Sequence, residues 1–435
     1  MTREYLIDAV PGERRLAVLE ADQLVDCVIE RDRTPALTDA IFLGRVVGFS
    51  KPLNAAFVEI GQAAPGFLPL RGETLTEGTA IVVQVRQEPV KTVGENKGAR
   101  LTQTLRLAGR YAILLPGQSE VSVSRQIAGA DKRAALRDLI QARRPEGAGV
   151  LLRTAAQSAS EAVITSDLQD LIRQWRQVEE AARAGRPPCL LSPGVSHLQR
   201  LLRDREGPVM AANPYTRSQM RQRYGIDNAD CFAGPGGLFE VHDVEDALDS
   251  FTEAAWPLPG GGTLLFAEAA AATLVDVNTG AAQAPLEASL AAAAALPLQL
   301  KLRGIGGQIL VDFPLKAKSR QRDQVTATLK ANGGEDVHIA GWSNLGFLEL
   351  TRDREGASLS SMLQGAEAAV FQAMRVVLAR RGRLGFDVSE DLAALIQGDL
   401  AVYWRALQEI VGYAPEFRVG RSLPAATFTI RDVTV

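Results

Sequence analysis

Two short apolar segments constrain this chain more than any other feature: ATLVDVNTG at 272–280 and GGQILVDF at 306–313, each with an aspartate near its end. Runs this apolar predict strands buried on both faces, as in parallel or mixed sheets covered by helices. The alanine-rich stretch between them, over about 285–303, predicts a helix. The order is then strand–helix–strand, with a right-handed crossover expected. Pro297 should kink that helix or mark its break.

Asp276 and Asp312 then stand at equivalent positions on two strands of one crossover unit, 36 positions apart. A carboxylate that follows a buried apolar strand is costly to desolvate unless it meets a partner or a cation. Adjacent strands run about 4.8 Å apart, so both carboxylates can approach one ion. Active sites of open α/β sheets gather at such strand ends. Hard oxygen ligands suit Mg²⁺ or Mn²⁺, which keep several waters and lean on substrate phosphates. Asn278 falls on the same face as Asp276 and can orient a carboxylate or a phosphate oxygen. The spacing also permits a plainer arrangement, in which Asp276 and Asn278 open an Asx-type turn and Asp312 caps the next element.

The rest of the chain is built from many short elements. YLIDAV, RRLAVLE and LVDCVIE, within residues 1–36, alternate apolar and polar positions and predict three strands, the first two separated by Pro11-Gly12. From about 38 to 103, AIFLGRVVGFS, NAAFVEIG, APGFLPL and AIVVQVRQ predict further strands with no long helix between them. A small closed barrel, of which the OB-fold is one solution, satisfies that pattern. Residues 104–185 mix strands (RYAILLP, GVLLRTA) with two helices, DKRAALRDLIQARR and SDLQDLIRQWRQVEEAARAG. Ser166 is the expected cap of the second. Helical patterns follow at VSHLQRLLRD and VEDALDSFTEAA, then near the end at GAEAAVFQAMRVVLARRG and DLAVYWRALQEIVG, before a closing strand, TFTIRDVTV. At 435 residues, two to four domains are expected.

Composition excludes some chemistries. Cys27, Cys189 and Cys231 lie far apart without C-x-x-C spacing, which indicates neither a zinc site nor a disulfide framework and fits a reducing, cytoplasmic setting. MTREYLIDAV lacks a secretory apolar core. No apolar run reaches the roughly 18–20 residues that span a bilayer, so a soluble protein is expected. The net charge of -3 argues against a uniformly basic nucleic-acid binder. Even so, residues 91–110 hold five Lys/Arg against one Glu, and residues 301–330 hold seven against Asp312 and Asp323. Either segment is an anion-binding surface or the solvated face of an ordinary element.

Further candidates carry the same two-sided reading. Phe57 and Phe67 lie in the expected barrel, where aromatics stack on bases and Lys97 contacts a nucleic-acid backbone, or where Phe is simply core. Arg153-Thr154 sets a guanidinium beside a hydroxyl, suited to a terminal phosphate, or to an exposed arginine by a turn. His197, His242 and His338 stand apart, and no G-x-S-x-G motif supports nucleophilic catalysis. GPGGLF at 234–239 and PGGG at 259–262 lack the lysine of a P-loop and are read as turns.

Several stretches together resemble the bacterial ribonuclease E/G endoribonucleases, in order and spacing, over nearly the whole length. They are FLGRVVGFSKPLNAAFVEIGQAAPGFLPL, ENKGARLT, VLLRTA, LVDVNTG and LKLRGIGGQILVDF. The likeness is to the shorter ribonuclease G type, since no long disordered scaffold follows. It implies an α/β multi-subdomain architecture. Residues 1–36 and 200–252 would form an RNase H-like subdomain, and 37–103 an inserted S1-type OB barrel. Residues 104–199 would be a 5′-sensor region, 253–358 a DNase I-like catalytic subdomain, and 359–435 a small C-terminal α/β domain. The resemblance also implies roles. Asp276 and Asp312 match magnesium-binding carboxylates, and Asn278 the asparagine assisting them. Phe57, Phe67 and Lys97 match an RNA-gripping surface. Gly109, Ile113, Arg153 and Thr154 match a pocket for a 5′-monophosphate. The implied reaction is hydrolysis of single-stranded RNA, leaving 5′-phosphate and 3′-hydroxyl ends, with the ion stabilising charge on the phosphate and lowering the pKa of water.

The chain also departs from the family pattern. The family's C-P-x-C motif, through which two chains share zinc, is replaced by TRDREGASLSSMLQGAEAAV. No zinc is expected, and a homodimer would need other contacts. The stretch after Gly280 is shorter and alanine-rich, and Pro314-Leu315-Lys316 replaces an acidic continuation. These departures keep one alternative open, an RNA-binding protein of the same fold that cleaves weakly or not at all; a third reading, a phosphate-binding metabolic enzyme with an OB-like appendage, leaves the barrel aromatics and basic segments without a role.

Overall fold

The computed structural model describes residues 2–72, 74–92, 95–280, 284–315, 320–334, 336–380, 383–420 and 423–432. Residues 1–34 and 205–435 form one compact unit and residues 35–204 a second. Lys316 and the first residues after Gly280, on which two sequence expectations fall, lie outside the described residues.

The 35–204 unit opens with a barrel. Strands Ile41–Ser50, Ala55–Glu59, Gly66–Pro69, Arg100–Thr102 and Ala80–Gln87 pair in that order, and the last returns to the first, closing five strands on themselves. Closure leaves no barrel edge unpaired. The interior is filled by Phe42, Val46, Val58, Leu68, Val83 and Leu101 among others. One further strand, Cys189–Ser192, pairs antiparallel to the start of Ile41–Ser50.

A four-stranded sheet follows in the same unit, in the order Leu107–Ala108, Ala112–Pro116, Ala148–Leu152, Val121–Val123. The helices Ala130–Gln141 and Glu161–Ala184 share its core through Ile140, Ile164 and Leu168. The second helix begins before the expected cap. Ser160 accepts the Val163 amide, and Ser166 lies inside the helix. Good helix formers at Glu161 and Ala162 extend the helix back to the first serine able to cap it.

The other unit contains three sheets. In the first, Arg3–Val10, Glu13–Glu20 and Gln23–Arg31 form the expected antiparallel run, joined by Val209–Ala211 and Asp230–Cys231. The polar positions of these strands are not solvated: Asp8, Glu13, Arg14, Arg15 and Arg31 are all buried. The reason is charge pairing. Arg15 bonds Asp8 at 2.6 Å and Glu245 at 2.6 Å, while Arg31 bonds Glu13 at 2.5 Å and Glu367 at 3.2 Å. Arg375, from the helix Gly365–Ala379, bonds both Asp8 and Glu13. Buried ions are tolerated only when paired and hydrogen-bonded in this way.

The largest sheet runs Ala255–Pro257, Thr263–Glu268, Thr273–Asn278, Gly307–Asp312, Leu348–Arg352, Val337–Trp342. Only Thr273–Asn278 and Gly307–Asp312 are parallel neighbours, joined through the helix Pro285–Leu302. The sheet is mixed, as expected, but the two strands are not buried on both faces. Val275, Val277, Ile309 and Val311 pack under Ala292, Leu296, Val325 and Leu329. The opposite face leaves Leu274 at 45% and Leu265 at 40% exposure. The alternation is a period of two with leucine on the open side, which masks it from a reading by hydrophobicity. The helix also runs unbroken through Pro297.

The third sheet, Glu416–Val419, Leu384–Val388 and Phe428–Asp432, packs with the helices Glu390–Gln397 and Ala401–Val411. No helix among the described residues is long and apolar enough to cross a membrane.

Candidate active site

Asp276 and Asp312 meet directly across the parallel pair, in register with one another. Both side chains are exposed on the open face of the sheet, so the desolvation argument made from the sequence does not apply. The Asx-turn alternative does not hold either, because Asp276 and Asn278 lie within the strand. Asn278 Nδ2 donates to Asp276 Oδ2 at 3.0 Å, which braces the carboxylate. The strand stops there because Gly280 turns with φ +63°, and a Cβ at that position would lie 2.1 Å from the Gly261 carbonyl oxygen.

Neither carboxylate is paired with an arginine or lysine among the described residues. Two like charges on neighbouring strands, open to solvent, favour a cation between them. No group of three His, Cys, Asp or Glu side chains forms a metal cage among the described residues. Two carboxylates and an amide form a hard-oxygen donor set. It fits Mg²⁺, which completes its shell with water and substrate oxygens.

On the barrel, Phe57 and Phe67 are register partners on adjacent strands, with ring centroids 6.2 Å apart at 66°. They alternate with the core residues Ala56, Val58 and Leu68, so they point outward and the core reading does not hold. Arg100 stands opposite Phe67 in register and is exposed, adding a cation that the sequence reading did not single out. Lys97 is exposed at the end of the short strand Glu95–Lys97, which pairs with Val90–Thr92.

Gly109, Ile113, Arg153 and Thr154 gather at the four-stranded sheet. Arg153 follows the strand Ala148–Leu152 and donates through Nη1 to the carbonyl oxygens of Gly109 (2.8 Å) and Arg110 (3.3 Å). Ile113 pairs with Ala108 on one side and Leu151 on the other. Thr154 Oγ1 donates to Gln126 at 3.0 Å and lies 2.9 Å from Ser124 Oγ. An open cleft of about 430 Å³ is lined by Ser124, Leu151, Leu152, Arg153, Thr154 and Ala155.

Two carboxylates in this region were not anticipated. Asp167 accepts the backbone amides of Arg110, Tyr111 and Ala112 at 3.1, 2.9 and 2.9 Å. A Cβ at Gly109 would lie 2.5 Å from the Asp167 carboxylate, so a larger residue there would push that carboxylate off these amides. Asp204 receives both terminal nitrogens of Arg153, at 2.8 and 2.9 Å, and also bonds Arg203 at 3.1 and 3.2 Å. Burial alone would raise the Asp204 pKa, but the bonds from Arg153 and Arg203 outweigh it and hold the carboxyl below its usual range. The Asp204 bond raises the Arg153 pKa against the lowering effect of burial. Neither aspartate carried a local sequence signal, because both act on loops more than 40 positions away in the chain.

The sequence profile of the Ribonuclease E/G family matches residues 106–355, more than half of the chain. Ribonuclease G of Haemophilus influenzae is 29% identical over 404 residues, covering 83% of this chain and 81% of that protein. Ribonuclease G of Escherichia coli is 28% identical over 407 residues, covering 83% and 82%. Ribonuclease E of Nostoc is 33% identical over 385 residues, covering 79% of this chain and 55% of that protein. This chain belongs to the ribonuclease E/G family.

Proposed function

We propose that this chain is an endoribonuclease that hydrolyses phosphodiester bonds in single-stranded RNA, with Mg²⁺ (Mn²⁺ as the alternative) held by Asp276 and Asp312. The observation that carries the reading is the in-register carboxylate pair, open to solvent and braced by Asn278. The family and its ribonuclease G relatives support an RNA substrate.

Magnesium, when bound, supplies Lewis-acid stabilisation of the phosphate and lowers the pKa of water. The chain supplies the positions. Asp276 presents a carboxylate braced by Asn278, and Asp312 presents its carboxylate from the neighbouring strand. Phe57 and Phe67 offer ring faces on which unpaired bases stack, worth about 1–3 kcal/mol per base, while Lys97 and Arg100 attract the backbone. The Arg153 pocket receives a 5′-monophosphate, giving a preference for RNA that carries one.

The finer architecture belongs to the same proposal. The closed barrel is assigned as an S1-type OB domain inserted into an RNase H-like subdomain, 104–199 as the 5′-sensor, 253–358 as DNase I-like, and 359–435 as a small C-terminal domain. Three unbridged cysteines suit a reducing cytoplasm, and any homodimer forms without a zinc link.

The test uses short 5′-monophosphorylated single-stranded RNA with Mg²⁺, comparing wild type with Asp276→Asn and Asp312→Asn. Wild type should cleave, while each variant loses cleavage by about a hundredfold or more and still binds RNA. Background cleavage by all three with intact binding would leave an RNA-binding protein of this fold.

A further inference from the structure

We propose that Asp204 is a specificity-determining residue of the Arg153 pocket. Its carboxylate occupies the guanidinium fork that a 5′-terminal phosphate must take, and it yields to a phosphate but not to a hydroxyl. This rests on reading the pocket as a 5′-phosphate site.

The geometry of the fork carries the argument. A guanidinium recognises phosphate and carboxylate alike, through two parallel N–H···O bonds. In this structure Asp204 already makes both, at 2.8 and 2.9 Å. A ligand that binds Arg153 through the fork must therefore compete with an internal anion. A 5′-phosphate brings the charge and oxygens to replace it. A 5′-hydroxyl brings neither, so the closed pair persists.

Three features make Asp204 exchangeable rather than fixed. First, it has a second partner. Arg203 Nε and Nη2 reach its two oxygens at 3.1 and 3.2 Å, so a displaced Asp204 keeps a counter-charge. Second, Arg153 stays anchored through Gly109 O when the carboxylate leaves. Third, Asp204 sits just after the helix His197–Arg203, where the helix dipole disfavours a negative charge. Both side chains are about one-third exposed, which gives the carboxylate room to swing away. Asp167 does not compete in this way, because three backbone amides occupy it.

An opposite-sign test separates a competitor from a brace. Two fluorescent RNAs of one sequence, ending in 5′-monophosphate or 5′-hydroxyl, are titrated with full-length protein in EDTA, and cleavage is then measured with Mg²⁺. The Asp204→Asn variant should bind the 5′-phosphate RNA about tenfold more tightly and leave 5′-hydroxyl binding unchanged. Arg203→Met removes the fallback partner and should weaken the 5′-phosphate preference. If Asp204→Asn lowers that preference instead, Asp204 merely braces Arg153 and the proposal is wrong. A misfolded variant would lose 5′-hydroxyl binding as well, so that arm is the folding control. If wild type and Arg153→Ala treat both ends alike, the phosphate-pocket reading has failed, and this proposal falls with it.

Discussion

Among single residues, Asn278 is tied directly to the carboxylate pair, because its amide holds one oxygen of Asp276. Removing that bond lets the carboxylate rotate without changing its charge. Asn278→Ala should lower single-turnover cleavage by about ten- to a hundredfold while RNA affinity in EDTA stays the same. Wild-type turnover in that variant would show that Asp276 needs no holder. That Asp276 and Asn278 share a strand face was legible in the sequence because strand periodicity is local, and two positions of spacing put two side chains on one face. Asp204 and Asp167 were not legible. Their partners lie 51 and 55–57 positions away, and only the folded sheet brings them together.

At the level of elements, the barrel shows how one pattern supports two outcomes. NAAFVEIG and APGFLPL announce strands, but hydrophobicity alone does not say whether a phenylalanine faces the interior or solvent. Pairing decides it: Phe57 and Phe67 share the outer face, and Ala56, Val58 and Leu68 the inner one. Replacing both phenylalanines by alanine should therefore weaken RNA binding by about 1–3 kcal/mol per stacked base and leave thermal stability nearly unchanged. A large drop in melting temperature would instead mark them as structural. The helix Pro285–Leu302 teaches a similar lesson. Proline removes one backbone donor, but burial of Leu296 and Leu300 outweighs the loss, so tertiary packing overrides the local rule.

At the level of the whole molecule, the buried charges of the N-terminal sheet make the fold sensitive to acid. Burial raises the Asp8 pKa, but Arg15 and Arg375 outweigh it, and the carboxyl titrates below its usual range. A carboxyl depressed in the folded state contributes stability that is fully present above about pH 4, its unfolded value, and is lost as pH falls below that through the folded value. Urea unfolding should show stability declining steeply in that window. In Asp8→Asn the decline should be shallower, from a lower starting stability at neutral pH. An unchanged slope would exclude Asp8 as a source. The sequence did not disclose this network, because Glu367 and Arg375, which bond Arg31, Asp8 and Glu13, lie more than 300 positions away in the chain.

That covering has a consequence for the order in which the protein is made. Arg31 leaves the ribosome 336 residues before Glu367, and Asp8 leaves 367 residues before Arg375. Until the last stretch is synthesised, Asp8 and Glu13 have Arg15 and Arg31 within the sheet but lack Arg375. The sheet that is translated first is therefore completed last, and a chain released early would present its beginning, not its end, as the defective part.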